Sequence, residues 1–191
     1  GVGARVATCT GVVTLVVMGE VHRRTGYERR PIIETVLKAA GDDLTVTVGV
    51  SAESGHSLAA RTREAQSAGA TAVMAAPAKM TKPNSASTFG YYEAAQEITE
   101  IPMVIQDLPE QTGVHLQPEF IGKLHTELPD AKYLKLEDPP TPQKITSVIE
   151  ATSGRMGVFG GLGGGFLFEA LRRSHSTTTD VSEYTEYSAS I

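Results

Sequence analysis

The alternation of apolar and polar positions shows six short β-branched or apolar runs, at 12–17, 44–50, 71–76, 101–105, 131–136 and 156–159. Their starts are separated by 32, 27, 30, 30 and 25 residues, the span of a strand plus a returning helix. Near-continuous apolar strands between helices indicate a parallel sheet covered on both faces. The intervening segments carry helix signals. Thr25-Gly26-Tyr27-Glu28 is a capping-box pattern followed by Ile32, Ile33, Val36, Leu37 and Ala40 at helical spacing. Pro31 is expected to kink the early turns or delay the start. Asn84 is a cap for a helix through Tyr91, Tyr92 and Ala95, and Gln117-Pro118 opens one with Phe120, Ile121 and Leu124 facing inward. Thr141-Pro142 sets a cap residue before a proline suited to the first helical position, ahead of Ile145, Val148 and Ile149.

Two architectures accommodate this repetition, a (β/α)8 barrel and an open doubly wound sheet. The uniform unit of about 30 residues favours the barrel. Eight units need roughly 240 residues, whereas the chain has 191 and begins with Gly rather than Met. Beyond the six runs there is a candidate seventh strand at 176–179, then a polar stretch from Asp180 to Ile191. The expectation is a single α/β domain over residues 1–191, a (β/α)8 TIM barrel incomplete at both ends. An unclosed barrel leaves strand edges and apolar surface for other chains to cover, which points to assembly.

Composition narrows the function. With 40% hydrophobic and 20% charged residues the chain is ordinary globular protein. Its formal charge is −5, and no basic block is longer than Arg23-Arg24 or Arg29-Arg30, so it lacks the phosphate-neutralising surface that nucleic-acid binding requires. Cys9 is the only cysteine, which rules out an intrachain disulfide or multi-cysteine metal site and fits a reducing, cytoplasmic compartment. No apolar run approaches the roughly 18 residues of a membrane span. The opening Gly1-Val2-Gly3-Ala4-Arg5 lacks the charged-then-apolar order of a signal segment.

The segment Tyr133-Leu134-Lys135-Leu136-Glu137-Asp138-Pro139-Pro140 carries the strongest chemical signal. Strand alternation sets Tyr133, Lys135 and Glu137 on one face. A lysine then lies inside an apolar strand near its carboxyl end, where active sites of parallel α/β folds form. Apolar surroundings disfavour an ammonium and leave an amine able to form a Schiff base with a carbonyl. The competing reading is a lysine that snorkels to solvent or pairs with Glu137.

At these residues the sequence resembles the dihydrodipicolinate synthase and N-acetylneuraminate lyase family of class I, Schiff-base-forming lyases. The resemblance runs from about Val12 to Ser174. It passes through Gly19-Glu20 with Glu28-Arg29, Val48-Gly49-Val50, Gly69-Ala70 before the strand ending at Pro77, Ile101-Pro102 with Pro109 and Thr112-Gly113, then Lys135 and the glycine-rich turn near Gly160. It implies a (β/α)8 barrel followed by a small helical domain that has no counterpart here, a homo-oligomer, commonly a tetramer, and Lys135 as the Schiff-base lysine acting on a small 2-oxo acid. Members usually carry a Gly-Thr-Thr-Gly-Glu motif whose hydroxyl residues help hold the substrate carboxylate. Val16-Val17-Met18-Gly19-Glu20 occupies that stretch, which sets Val17 and Met18 at the substrate. The family's Tyr-Asn, whose tyrosine shuttles protons beside the lysine, appears as Gln106-Asp107, and an amide cannot replace a phenol in that role. An arginine common in synthases is Gln111, and a Pro-Tyr-Tyr stretch reads Pro77-Ala78-Lys79-Met80. These departures argue against the synthase reaction itself.

Asp107 is the candidate to replace the tyrosine as acid/base, since a carboxyl at a strand end beside an amine can be tuned for proton transfer. The alternative is loop capping before Leu108-Pro109. Gln106 and Glu137 are candidates for substrate contact. Glu137 or Asp138 would orient a substrate hydroxyl, or cap the helix at Thr141. Glu20 is expected to bond backbone amides near the site. Gly160-Gly161-Leu162-Gly163-Gly164-Gly165 would expose N–H groups between a strand and a helix, able to cradle an anion or allow close packing. In the resemblance this loop lines the keto-acid pocket. His22 is a candidate to face the pocket, and no histidine pair has zinc spacing. Neither a metal nor a cofactor is expected, because a Schiff base supplies its own electron sink. Two rival functions remain: a barrel holding a phosphorylated ligand at residues 160–165, and an inactive homologue kept as a binding protein.

Overall fold

The structure is a computed structural model and describes residues 11–161. The strands are β1 (Gly11–Thr14), β2 (Thr45–Gly49), β3 (Ala72–Ala75), β4 (Met103–Asp107), β5 (Ala131–Leu136) and β6 (Gly157–Gly160). They form one sheet in the order β1-β2-β3-β4-β5-β6, with every neighbouring pair parallel. Doubly wound sheets reverse their strand order at a switch point. None occurs among the described strands, so they wind in one direction, as in a barrel wall. The described residues supply six strands of such a wall, and the candidate strand at 176–179 lies outside them.

Helices α1 (Gly26–Ala40), α2 (Gly55–Ala68), α3 (Ser85–Gln96), the single turn α4 (Pro109–Thr112), α5 (Pro118–Glu127) and α6 (Thr141–Ala151) fill the connections. None of the described helices is long and apolar enough to cross a membrane. The capping box holds: the Thr25 backbone N–H and hydroxyl both donate to Glu28 Oε2 at 2.8 Å. Pro31 does not delay α1, which starts at Gly26 because those contacts set the first turn ahead of the proline. Asn84 Oδ1 accepts from the Ser87 N–H at 2.9 Å and starts α3. α6 begins one residue earlier than its sequence pattern indicates. Thr141 is already helical, and its hydroxyl donates to the Asp138 carbonyl at 3.4 Å.

Alternation along each strand sorts side chains onto two faces. Val48, Val73, Ala75, Met103, Ile105, Leu134, Leu136 and Val158 face the helices and form the main core with Ile33, Leu58, Tyr92, Ile121, Leu124 and Val148. Each fully buried Leu or Ile there contributes about 1.5–3 kcal/mol. The other face carries a smaller cluster of Val16, Met74 and Val104, flanked by Val13, Tyr133 and Phe159, which occupies the inner side of this half-barrel.

Beyond β1 the chain turns sharply through Leu15, whose φ is 55°. A Cβ on Gly49 would overlap the Leu15 carbonyl, so Gly49 lets the exit of β1 close onto β2. Gly49→Ala is expected to cost about 1–3 kcal/mol through this overlap, measurable as a lowered urea midpoint. Unchanged stability would show that the exit of β1 is not held there.

Candidate active site

Lys135 is the fifth residue of β5 and lies at its carboxyl end. It registers with Gln106 on β4 and Phe159 on β6. Directly below, Tyr133 registers with Val104 and Gly157, and the Tyr133 and Phe159 rings lie 5.5 Å apart. The lysine therefore rises from an apolar floor on the inner face, and only 3% of it is exposed.

Two residues further on, Glu137 projects from the same face. Its Oε1 lies 3.3 Å from Lys135 Nζ. Its Oε2 accepts a 2.7 Å hydrogen bond from Gln106 Nε2, and the residue is 7% exposed. Gly161 closes the third side. Its N–H donates to the Leu136 carbonyl at 3.1 Å, and a Cβ there would overlap Glu137 Cγ and sit 2.7 Å from Oε1. The lack of a side chain at 161 thus makes room for the carboxylate. Lys135, Gln106, Glu137, Gly160 and Gly161 are brought together as one cluster. Val17 and Met18 belong to a single 3-10 turn (Val17–Gly19) after β1, at the same end of the sheet but beside its first strand rather than its fifth. Within the glycine run, the N–H of Gly161 is committed to the sheet and a carboxylate packs on it, an arrangement unsuited to an anion. Gly163, Gly164 and Gly165 lie outside the described residues.

Asp107 is not brought to the lysine. Strand alternation turns it to the opposite face, where its fully buried carboxylate meets Lys144 Nζ of α6 at 2.6 Å. Burial pushes the Asp107 carboxyl above the usual carboxylate range despite the pull of Lys144. Lys144 also bonds Asp138 Oδ2 at 2.6 Å, and His115 Nδ1 lies 3.4 Å from that same oxygen. Asp138 is therefore engaged with α6 rather than with the lysine face. Among the described residues Glu20 pairs with Arg23 at 3.0 Å on the surface rather than with backbone amides, and His22 is exposed. Among the described residues no group of three or more His, Cys, Asp or Glu side chains is placed to hold a metal. Sequence reasoning missed Lys144. Its one signal is a cation six residues after Asp138, across a proline turn that breaks any periodic spacing.

Residues 7–172 match the dihydrodipicolinate synthetase family. The chain is 25% identical over 143 residues to the 4-hydroxy-tetrahydrodipicolinate synthase of Persephonella marina, covering 75% of this chain and 48% of that protein. It is 30% identical over 118 residues to the enzyme of that name from a strain of Thermus thermophilus, covering 61% and 40%. The chain thus spans about half the length, or less, of the curated relatives it matches. Among solved structures, a prophage protein of the dihydrodipicolinic acid synthase family from E. coli K12, in complex with pyruvate, superposes with a TM-score of 0.82 at 20% identity, over 88% of this chain and 57% of that one. Dihydrodipicolinate synthase from Thermotoga maritima superposes with a TM-score of 0.79 at 22% identity, over 88% and 58%. The one-directional parallel sheet, its sequence order and the span of the match together establish that the chain belongs to the dihydrodipicolinate synthetase family.

Proposed function

We propose that the protein is a class I lyase or aldolase acting on a small 2-oxo acid of the pyruvate type, with Lys135 as the Schiff-base nucleophile. The observation that carries this reading is the placement of Lys135: 3% exposed, above an apolar floor, at the carboxyl end of an inner-face strand. A buried amine in that position is suited to attack a carbonyl from which water is excluded. The pyruvate bound to the E. coli relative supports the substrate class. Gln106 and Gln111, where the family resemblance expects a tyrosine and an arginine, support a reaction other than the synthase reaction that names the curated relatives. Assembly as a homo-oligomer belongs to the same proposal.

The test is chemical. Incubation of the full-length protein with pyruvate and sodium borohydride is expected to leave a reduced, irreversible adduct, located at Lys135 by peptide mass spectrometry. If a panel of 2-oxo acids leaves the folded protein unmodified, the lyase reading fails.

A further inference from the structure

We propose that Glu137 is the proton-transfer group of this site. The inference rests on the Schiff-base reading of Lys135 and adds a second catalytic residue to it. Making and using an imine requires a group near the nitrogen that can both give and take a proton. Gln106, the side chain beside the lysine on the neighbouring strand, is an amide and can do neither. Asp107 faces the helices and is engaged by Lys144. The Glu137 carboxyl is at contact distance from Nζ, 3.3 Å through Oε1. It is also held in position, with Oε2 fixed by Gln106 at 2.7 Å and its stem packed on the backbone of Gly161. That grip leaves Oε1 as the oxygen turned toward the amine.

The steps balance with these two residues and the substrate. A proton passes from Nζ to Oε1, leaving a free amine beside a carboxylic acid. The amine attacks the carbonyl carbon of the 2-oxo acid, a C–N bond forms, and the nitrogen gives a proton to the former carbonyl oxygen. Glu137 then donates its proton to that hydroxyl, the C–O bond breaks, water leaves and a cationic imine remains. The Glu137 carboxylate takes a proton from the carbon next to the imine. The C–H electron pair becomes a C=C bond, and the C=N pair returns to nitrogen as an enamine.

This cycle predicts that the full-length protein exchanges the methyl protons of pyruvate for deuterium in D2O, followed by proton NMR. Glu137→Gln keeps the volume and an oxygen for Gln106 but cannot carry the proton. Exchange is expected to fall by at least about 100-fold, with slower borohydride trapping that still maps to Lys135. Glu137→Ala opens a gap beside Gly161, where added formate or acetate is expected to restore exchange in proportion to the basicity of the acid. A merely structural role for Glu137 would not produce that dependence. Exchange at the original rate in Glu137→Gln, or no response of Glu137→Ala to any added acid, overturns the assignment and leaves the Lys135 reading standing. Failure of the unaltered protein to form an adduct overturns both.

Discussion

Lys135→Arg is expected to lower turnover of every 2-oxo acid by about 10⁴-fold or more, the scale of losing a covalent nucleophile, while the protein stays folded. Arginine keeps a cation beside Glu137, whose carboxylate is 3.3 Å from the lysine nitrogen, so the buried acid retains a counter-charge. A guanidinium stays protonated and delocalised and forms no imine with a ketone. Borohydride with pyruvate should then leave no adduct at position 135. Circular dichroism and thermal unfolding serve as the control for folding. Retained turnover in a folded Lys135→Arg protein would rule out covalent catalysis by this residue and return the site to non-covalent binding.

How far the sequence reveals this arrangement depends on the range of the interaction involved. The strands are legible because burial on both faces demands near-continuous apolar runs, and the six runs begin within two residues of β1 to β6. Capping is equally local, and Thr25 and Asn84 start their helices as their side-chain chemistry requires. Helix α2 has no such legible pattern, because its inward side is Leu58, Thr62 and Ala65, a stripe too small and polar to stand out. The common face of Lys135 and Glu137 followed from the two-residue period of a strand. The same period applied to Gln106 and Asp107 would have separated them: Gln106 registers with Lys135 and Asp107 with Leu136, so the amide, not the acid, shares the lysine's face. The contact between Gln106 and Glu137 spans 31 residues and depends on the register of β4 against β5. No local pattern records it. Lys144 escaped notice for a related reason, since its two acidic partners come from different strand ends.

Lys144→Met is expected to destabilise the fold by about 3–5 kcal/mol near neutral pH, the range for removing one partner of a buried ion pair. Lys144 holds two carboxylates at 2.6 Å each, Asp107 with no side-chain exposure and Asp138 at 13%. Methionine fills much the same space but leaves both acids without their cation, and the exposed His115 reaches only Asp138. The sign of the pH dependence follows from Asp107, whose folded-state carboxyl already titrates above its ordinary value because of burial. Between the unfolded and folded values the folded chain binds more proton, so stability falls as pH rises through that window. Removing Lys144 takes away the cationic pull that opposes burial at Asp107, which widens the window upward. The deficit of Lys144→Met should therefore be greatest near neutral pH and shrink as the pH falls through the raised range in which Asp107 takes up a proton and no longer needs a counter-ion. Adding Asp107→Asn to Lys144→Met should recover a large part of the loss at neutral pH and little at low pH, because the two side chains are in contact and their effects couple. Urea unfolding of the single and double variants at both pH values reads this out. A deficit independent of pH, or strictly additive effects, would show that Lys144 acts by packing its stem between β4 and α6 rather than by neutralising Asp107.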